Sequence, residues 1–339
     1  MNYYHLFIYL IVIHSFFNAK LFAQCECLND LKSNRNGVVN KYEFAEKVFD
    51  KAFFTEGPAA SFDGKIYFSD ITFTSERPNE CGNIFVYNPL NGKSEIYRSP
   101  SNMSNGMLVD NSNNLIICEG ADTGGRRITK TNLKTGESTI VASSYNGKPF
   151  NSPNDLTIDA NGNIYFTDPR YSGDEILEQP VMGVYRIDSA GIIKLIIDNI
   201  SMPNGIALSP NDEYLYVSCN DESVTENKFD SLNTGMFISR YKRNLEDDFI
   251  FDKIFAEFYG GYGPDGMTVD SEGNLYAAVR NENDPAVWVF NSEGETIDWI
   301  RLPEVPSNVC FGKEKFKNIL YITAGGSLYE INVETSGLN

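Results

Sequence analysis

Six short stretches of this chain look alike: DGKIYFSD, NNLIICEG, NGNIYFTD, DEYLYVSC, EGNLYAAV and KNILYITA. Aligned on the aliphatic residue that opens each apolar run, they begin at Ile66, Leu115, Ile164, Leu215, Leu275 and Leu320, at intervals of 49, 49, 51, 60 and 45 residues. A period of that length, carried by alternating strands and turn residues with no long helical pattern, marks a β-propeller with one blade per repeat. Six copies predict an all-β fold, a six-bladed β-propeller. Further strands follow each anchor, as in NIFVYNPLNGKSEIYRS, with Asn91-Gly92 and Thr135-Gly136 as turns. The chain ends soon after SLYEINV, which leaves the last blade short of an outer strand. A segment within EFAEKVFDKAFF, residues 43–54, is expected to supply it and close the ring.

Ten to twelve residues before the anchors stand Glu56, Asn105, Asn154, Asn204, Asp265 and Asn308. Five of them open the small or apolar runs EGPAA, NGMLV, NDLTI, NGIAL and DGMTV. The first strand of each propeller blade lines the central channel, so equivalent positions make one ring about the axis. A single Asn-Gly pair would signal only a turn. Recurrence in every blade, with oxygen donors alone, points to a central divalent-cation site. Carboxylate and amide oxygens select a hard cation; Ca²⁺ leads, with Mg²⁺, Mn²⁺ or Zn²⁺ as the other candidates.

The second strand of each blade returns to the face that carries this ring. Its end falls at Asp70, Glu119 and Asp168 in the first three blades, and the loops EGADTGGRR and DPRYSGDEI follow. These loops would rim a pocket with Arg126, Arg127, Arg170 and Tyr171, which suits hydroxyl-rich or carbonyl ligands. Strand-end caps and rim ion pairs are the alternative use of such residues.

Composition removes other classes. Forty-six acids against 28 bases give a net charge of -18 with no basic run, the reverse of a nucleic-acid footprint. Cations and neutral small molecules remain compatible ligands. Residues 3–17, YYHLFIYLIVIHSFF, followed by KLFAQC, read as a signal peptide over residues 1–23 that is removed after Ala23. The expected location is therefore secreted or periplasmic, with a lipoprotein anchor through Cys25 disfavoured by Gln24. No other segment has the length of a membrane span. His5 and His14 are the only histidines and leave with the leader. Ser-His-Asp and Cys-His catalysis and histidine metal sites are thereby excluded. The spacing of Cys25, Cys27, Cys81, Cys118, Cys219 and Cys310 fits neither a zinc module nor a dense disulfide framework. Cys118, Cys219 and Cys310 lie in apolar runs, as small buried hydrophobes do. Residues 24–47 are assigned to an N-terminal extension and the start of ring closure, and 48–339 to the propeller. Within that extension KSNRNGVVNKYEF resembles a calcium-binding helix–loop–helix segment, but Lys32 occupies the first ligand place, so it is read as a turn.

Taken in order, FTEGP, NGMLVDNSNNLIICEG with RRIT, SPNDLTIDANGNIYFTDPRY, MPNGIALSPNDEYLYVS and GPDGMTVDSEGNLYAA resemble the gluconolactonase branch of the SMP-30/gluconolactonase/LRE-like family over residues 48–333. The resemblance implies a six-bladed propeller with one divalent cation, held by Glu56, Asn154, Asn204 and Asp265. Asn105 then stands as a substrate contact, and Asn308 has no role assigned. Gly120 departs from the histidine often found there in this branch, which bears on the identity of the sugar. The implied reaction is metal-dependent hydrolysis of a small sugar lactone: the cation polarises the carbonyl and Asp265 activates water. Glu119, Asp155, Arg170 and Tyr171 are candidates for orienting the sugar. The competing readings are a broader calcium-dependent esterase or phosphotriesterase, and a non-catalytic propeller that binds sugar or protein.

Overall fold

The computed structural model describes residues 38–39, 44–71, 81–221, 235–259 and 262–338. The leader over residues 1–23 lies outside the described residues, as does the calcium-loop look-alike apart from Val38, Val39 and Phe44.

The described chain forms six four-stranded antiparallel sheets and a two-stranded ribbon, Ser144–Tyr145 with Lys148–Pro149. The inner strands are Thr55–Ala60, Ser104–Val109, Leu156–Ile158, Pro203–Leu208, Pro264–Val269 and Pro306–Phe311. Each touches the next in sequence, and the sixth touches the first, so the sheets are the blades of a closed six-bladed β-propeller. Among the described residues the only helix is the 3-10 turn Glu314–Phe316, and none is long and apolar enough to cross a membrane. The sixth blade takes its outer strand from the other end of the chain: Glu46–Phe49 pairs antiparallel with Ser327–Asn332.

The anchors are buried because the second strand of a blade is covered on both faces by neighbouring sheets. Ile66, Leu115, Leu215, Leu275 and Leu320 are fully buried, each worth about 1.5–3 kcal/mol. The apolar clusters run between adjacent blades; one joins Tyr165 and Val184 of blade three to Ile206, Val217 and Phe237 of blade four.

Turn chemistry fixes the register of the innermost hairpin. Asp159 ends the inner strand of blade three and accepts from the Asn161 and Asn163 amides, Asn163 Nδ2 and the Tyr165 hydroxyl. Asp270 makes the same knot in blade five with Glu272, Asn274 and Tyr276. A one-residue slip would reverse every side chain. The knot therefore holds in place the ring residue at the opposite end of the strand.

Candidate functional site

At the ring the inner strands depart from regular pairing. Asn105-Gly106 stand opposite Cys118 alone, Asn204-Gly205 opposite Ser218, and Asp265-Gly266 opposite Ala278. Glu56 pairs with Ser69, and the extra residue there falls on Gly57-Pro58. An unpaired extra residue bends the strand and re-aims its side chains, a device common beside functional sites.

Hydroxyls on the second strands fasten the backbone of these positions. Ser69 Oγ donates to the Asn105 carbonyl at 2.8 Å, Thr167 Oγ1 to that of Asn204 at 2.7 Å, and Ser218 Oγ to that of Asp265 at 3.0 Å. Each bond runs from one blade to the next. The signal was present in the sequence as the Ser or Thr after IYF in IYFS and IYFT and after LYV in LYVS, but sequence reasoning passed over it.

In blade six the pairing corrects the alignment. Pro306 faces Ala324 and Asn308 faces Thr323, so Ser307 is the residue equivalent to the other ring members. Its hydroxyl is turned to the Thr55 and Thr323 carbonyls. Asn308 occupies the next place, where four other blades carry glycine, and Asp155 occupies that place in blade three. The two side chains meet: Asn308 Nδ2 lies 3.4 Å from Asp155 Oδ2 and 3.2 Å from Glu56 Oε2. The Val309 amide donates to Asn308 Oδ1 at 2.8 Å, which fixes the amide so that its nitrogen faces the carboxylates. Blades one, three and six can share such contacts only at the axis.

The glycines make this possible. A Cβ on Gly266 would fall 1.9 Å from Asn308 Cγ, and one on Gly106 would fall 2.4 Å from Asp155 Oδ1. The recurring polar-Gly pair is thus a spacing requirement: a spoke, then room for a neighbour's side chain.

Glu56, Asn204 and Asp265 are buried, while Asn105 and Asn154 are partly exposed. Burial, then the charge of Asp265, pushes the Glu56 carboxyl well above its ordinary range, against the Gly57 amide bonded to it at 2.9 Å. Burial raises Asp155 to about 7, although the Leu156 amide and Asn308 oppose the rise. Negative charge is crowded here, and a cation would relieve it. Among the described residues no three His, Cys, Asp or Glu side chains form a metal-binding group. The donors the ring can offer are two carboxylates, Glu56 and Asp265, and two amides, Asn154 and Asn204. That set is all oxygen and fits a hard divalent ion.

Two expected sugar contacts have other duties. Glu119 is wholly buried, paired with Arg98 and with Arg127 Nε at 2.6 Å, and accepts from Thr129. Arg170 gives its guanidinium to the Asn151 carbonyl at 2.6 and 3.2 Å and to the Glu175 carbonyl at 2.7 Å, which folds the loop after blade three's second strand. Asp70 and Asp168 are likewise braces: Asp70 accepts from the Phe53 and Phe54 amides and Asp168 from those of Asn151 and Ser152, just ahead of Glu56 and Asn154. Tyr171 does stand at the mouth. Its hydroxyl lies 3.4 Å from the Met202 and Asn220 carbonyls and also meets Asn204, while the residue as a whole is 45% exposed. Arg280, which sequence reasoning missed, lies against the ring with Nη1 3.1 Å from Asp265 Oδ2.

Fold and site together define a propeller with an oxygen-lined axial centre. The chain belongs to the SMP-30/Gluconolactonase/LRE-like family, whose model matches residues 54–326. It is 35% identical over 250 residues to a gluconolactonase of Zymomonas mobilis, a match spanning 71% of this chain and 65% of that protein. It is 31% identical over 268 residues to the lactonase drp35 of Staphylococcus epidermidis, covering 76% of this chain and 72% of that one. A gluconolactonase structure from Xanthomonas campestris superposes with a TM-score of 0.72 at 26% identity, over 86% of this chain and 90% of that one. A calcium-binding regucalcin of Agrobacterium tumefaciens shares the fold at 17% identity and a TM-score of 0.64, covering 84% and 92% of the two chains.

Proposed function

We propose that the protein is a metal-dependent hydrolase that opens sugar lactones. The observation that carries the reading is the ring itself: buried Glu56 and Asp265 share one end of the channel with Asn154 and Asn204. The gluconolactonase and lactonase names of the relatives support the substrate class. Glu56, Asn154, Asn204 and Asp265 would hold the cation, Ca²⁺ first among the candidates. A bound cation supplies Lewis-acid polarisation of the lactone carbonyl and stabilises the charge that develops on its oxygen.

The remaining work falls to the chain. Asp265 takes a proton from the attacking water, its carboxylate oriented by Arg280. Asn105 and Tyr171, at the open end, orient sugar hydroxyls. Asp155, buried beneath the ring and bridged to Glu56 through Asn308, holds the floor of the site. The leader-like residues 1–23 support a protein that works outside the cytoplasm.

The test is proton release from D-glucono-1,5-lactone by the purified protein, before and after chelation and after Ca²⁺ is returned. Turnover that disappears with chelator and returns with Ca²⁺ is the expected result. Chelator-insensitive turnover would remove the metal role. No turnover of any sugar lactone by calcium-loaded protein would remove the substrate class.

A further inference from the structure

Arg280 follows the second strand of blade five, Leu275–Val279, at the ring-face end. Its amide donates to the Gly263 carbonyl at 2.9 Å, which fixes the backbone beside Asp265. The side chain then crosses the mouth. Its guanidinium packs over the ring of Phe54, 5.5 Å from the centroid, although Phe54 belongs to blade one and blade six lies between. One nitrogen meets Asp265 Oδ2, and the Tyr171 hydroxyl lies within range of its charge from the opposite side. The side chain remains 40% exposed, so the guanidinium faces the opening as well as the ring.

Among the described residues, the other arginines of this face are committed to the scaffold. Arg98 and Arg127 pair with Glu119, Arg126 holds the Phe150 carbonyl, and Arg170 holds Asn151 and Glu175. A pocket walled by carboxylates repels anions. Lactone hydrolysis nevertheless makes one: the water oxygen bonds to the acyl carbon, the ring C–O bond breaks, the leaving alkoxide takes one proton, and the acid releases the other as a carboxylate. A guanidinium has paired donors that match that carboxylate in a fork.

We propose that Arg280 is the residue that binds the substrate's acyl oxygens as they become a carboxylate, which makes it both a rate-supporting contact and the anchor of the sugar-acid product. The proposal rests on the lactonase reading for its substrate and adds a residue to that site. The neutral lactone gains little from Arg280, and the charged species gains most, so the contact acts on turnover rather than on substrate capture.

The experiment compares wild type, Arg280→Gln and Arg280→Lys as full chains loaded with Ca²⁺. Calorimetry measures binding of gluconate and of sorbitol, its neutral six-carbon counterpart, and initial rates are taken with glucono-1,5-lactone. Arg280→Gln should weaken gluconate about tenfold, leave sorbitol unchanged, and lower kcat with KM within about twofold. Arg280→Lys should fall between, because it keeps the charge and loses the fork. If Arg280→Gln does not fold, a few-fold loss in Arg280→Lys that is selective for gluconate supports the proposal in its place. Equal weakening of gluconate and sorbitol, or of neither, would reduce Arg280 to a brace for Asp265. Wild type that binds no gluconate overturns the assignment whatever its turnover. A protein without lactonase activity that still loses gluconate selectively on Arg280→Gln overturns the reaction and leaves the anion contact standing.

Discussion

Asp155 and Asn308 come from blades three and six, opposite members of a six-blade ring, and meet at 3.4 Å across its axis. The same amide nitrogen reaches Glu56 at 3.2 Å, so one neutral donor separates two buried carboxylates. Asn308→Asp replaces that donor with a third acid. The metal-free variant should lose about 1–3 kcal/mol near neutral pH, the range for an unsatisfied buried polar contact. Urea unfolding in chelator measures it. Equal stability of the two proteins would show that the amide does not hold the carboxylates apart.

The glycines beside the ring should fail in two distinguishable ways. A Cβ on Gly266 collides with the Asn308 side chain, whereas one on Gly57 comes within 2.1 Å of the Asn105 carbonyl oxygen, which is backbone. Each alanine variant should cost about 1–3 kcal/mol from overpacking. Adding Asn308→Ala should relieve Gly266→Ala, because the obstacle is removed, and should leave Gly57→Ala as damaged as before. Thermal melts of the double variants decide this through their non-additivity. Additive losses at both positions would mean that the Gly266 clash is resolved elsewhere.

How much of this could be read from the sequence follows the range of each interaction. The blades and most of the ring were legible because local period and turn chemistry set them, and each ring position precedes its anchor by a near-constant interval. Blade six misled the alignment by one place, since Ser307 rather than Asn308 takes the ring position when the strands pair. Glu119 and Asp168 could be placed on the ring face from local information, which left substrate contact, strand-end cap and rim ion pair open. Their burial depends on Arg98 and Arg127 in one case and on the Asn151 and Ser152 amides in the other. Arg280 was invisible for the same reason: its partner Phe54 leads into blade one, two blades away across a seam that only ring closure creates.

Acid should unfold the protein partly through Asp159. Burial alone would raise this carboxyl, but bonds from Asn163 and Tyr165 and the charge of Arg243 outweigh it and hold the pKa below the ordinary 3.8. The folded state therefore resists protonation more than the unfolded chain does. The stability that results is present above pH 3.8 and is lost as pH falls through the lower folded value. Asp159→Asn should be less stable by about 1–3 kcal/mol at neutral pH. Its denaturation midpoint should also change less across the acid range than that of wild type. A wild-type profile with the same acid slope as the variant would remove Asp159 from the account.

Glu56 should show opposite signs with and without metal, and that crossing is the sharpest test of the centre. In metal-free protein its carboxyl is pushed up by burial and by Asp265, so ionising it at neutral pH costs stability. Glu56→Gln removes that cost, and the metal-free variant should be at least as stable as wild type. With Ca²⁺ the order reverses, because a ligand that binds only the folded state at a hundred times its Kd adds about 2.7 kcal/mol. Wild type should gain that increment on Ca²⁺ titration, and Glu56→Gln should gain little or none. Differential scanning calorimetry in chelator and in excess Ca²⁺ gives all four values. If both proteins gain equally from Ca²⁺, the cation sits elsewhere; if neither gains, the ring holds its charge by protonation and the case for a metal centre falls.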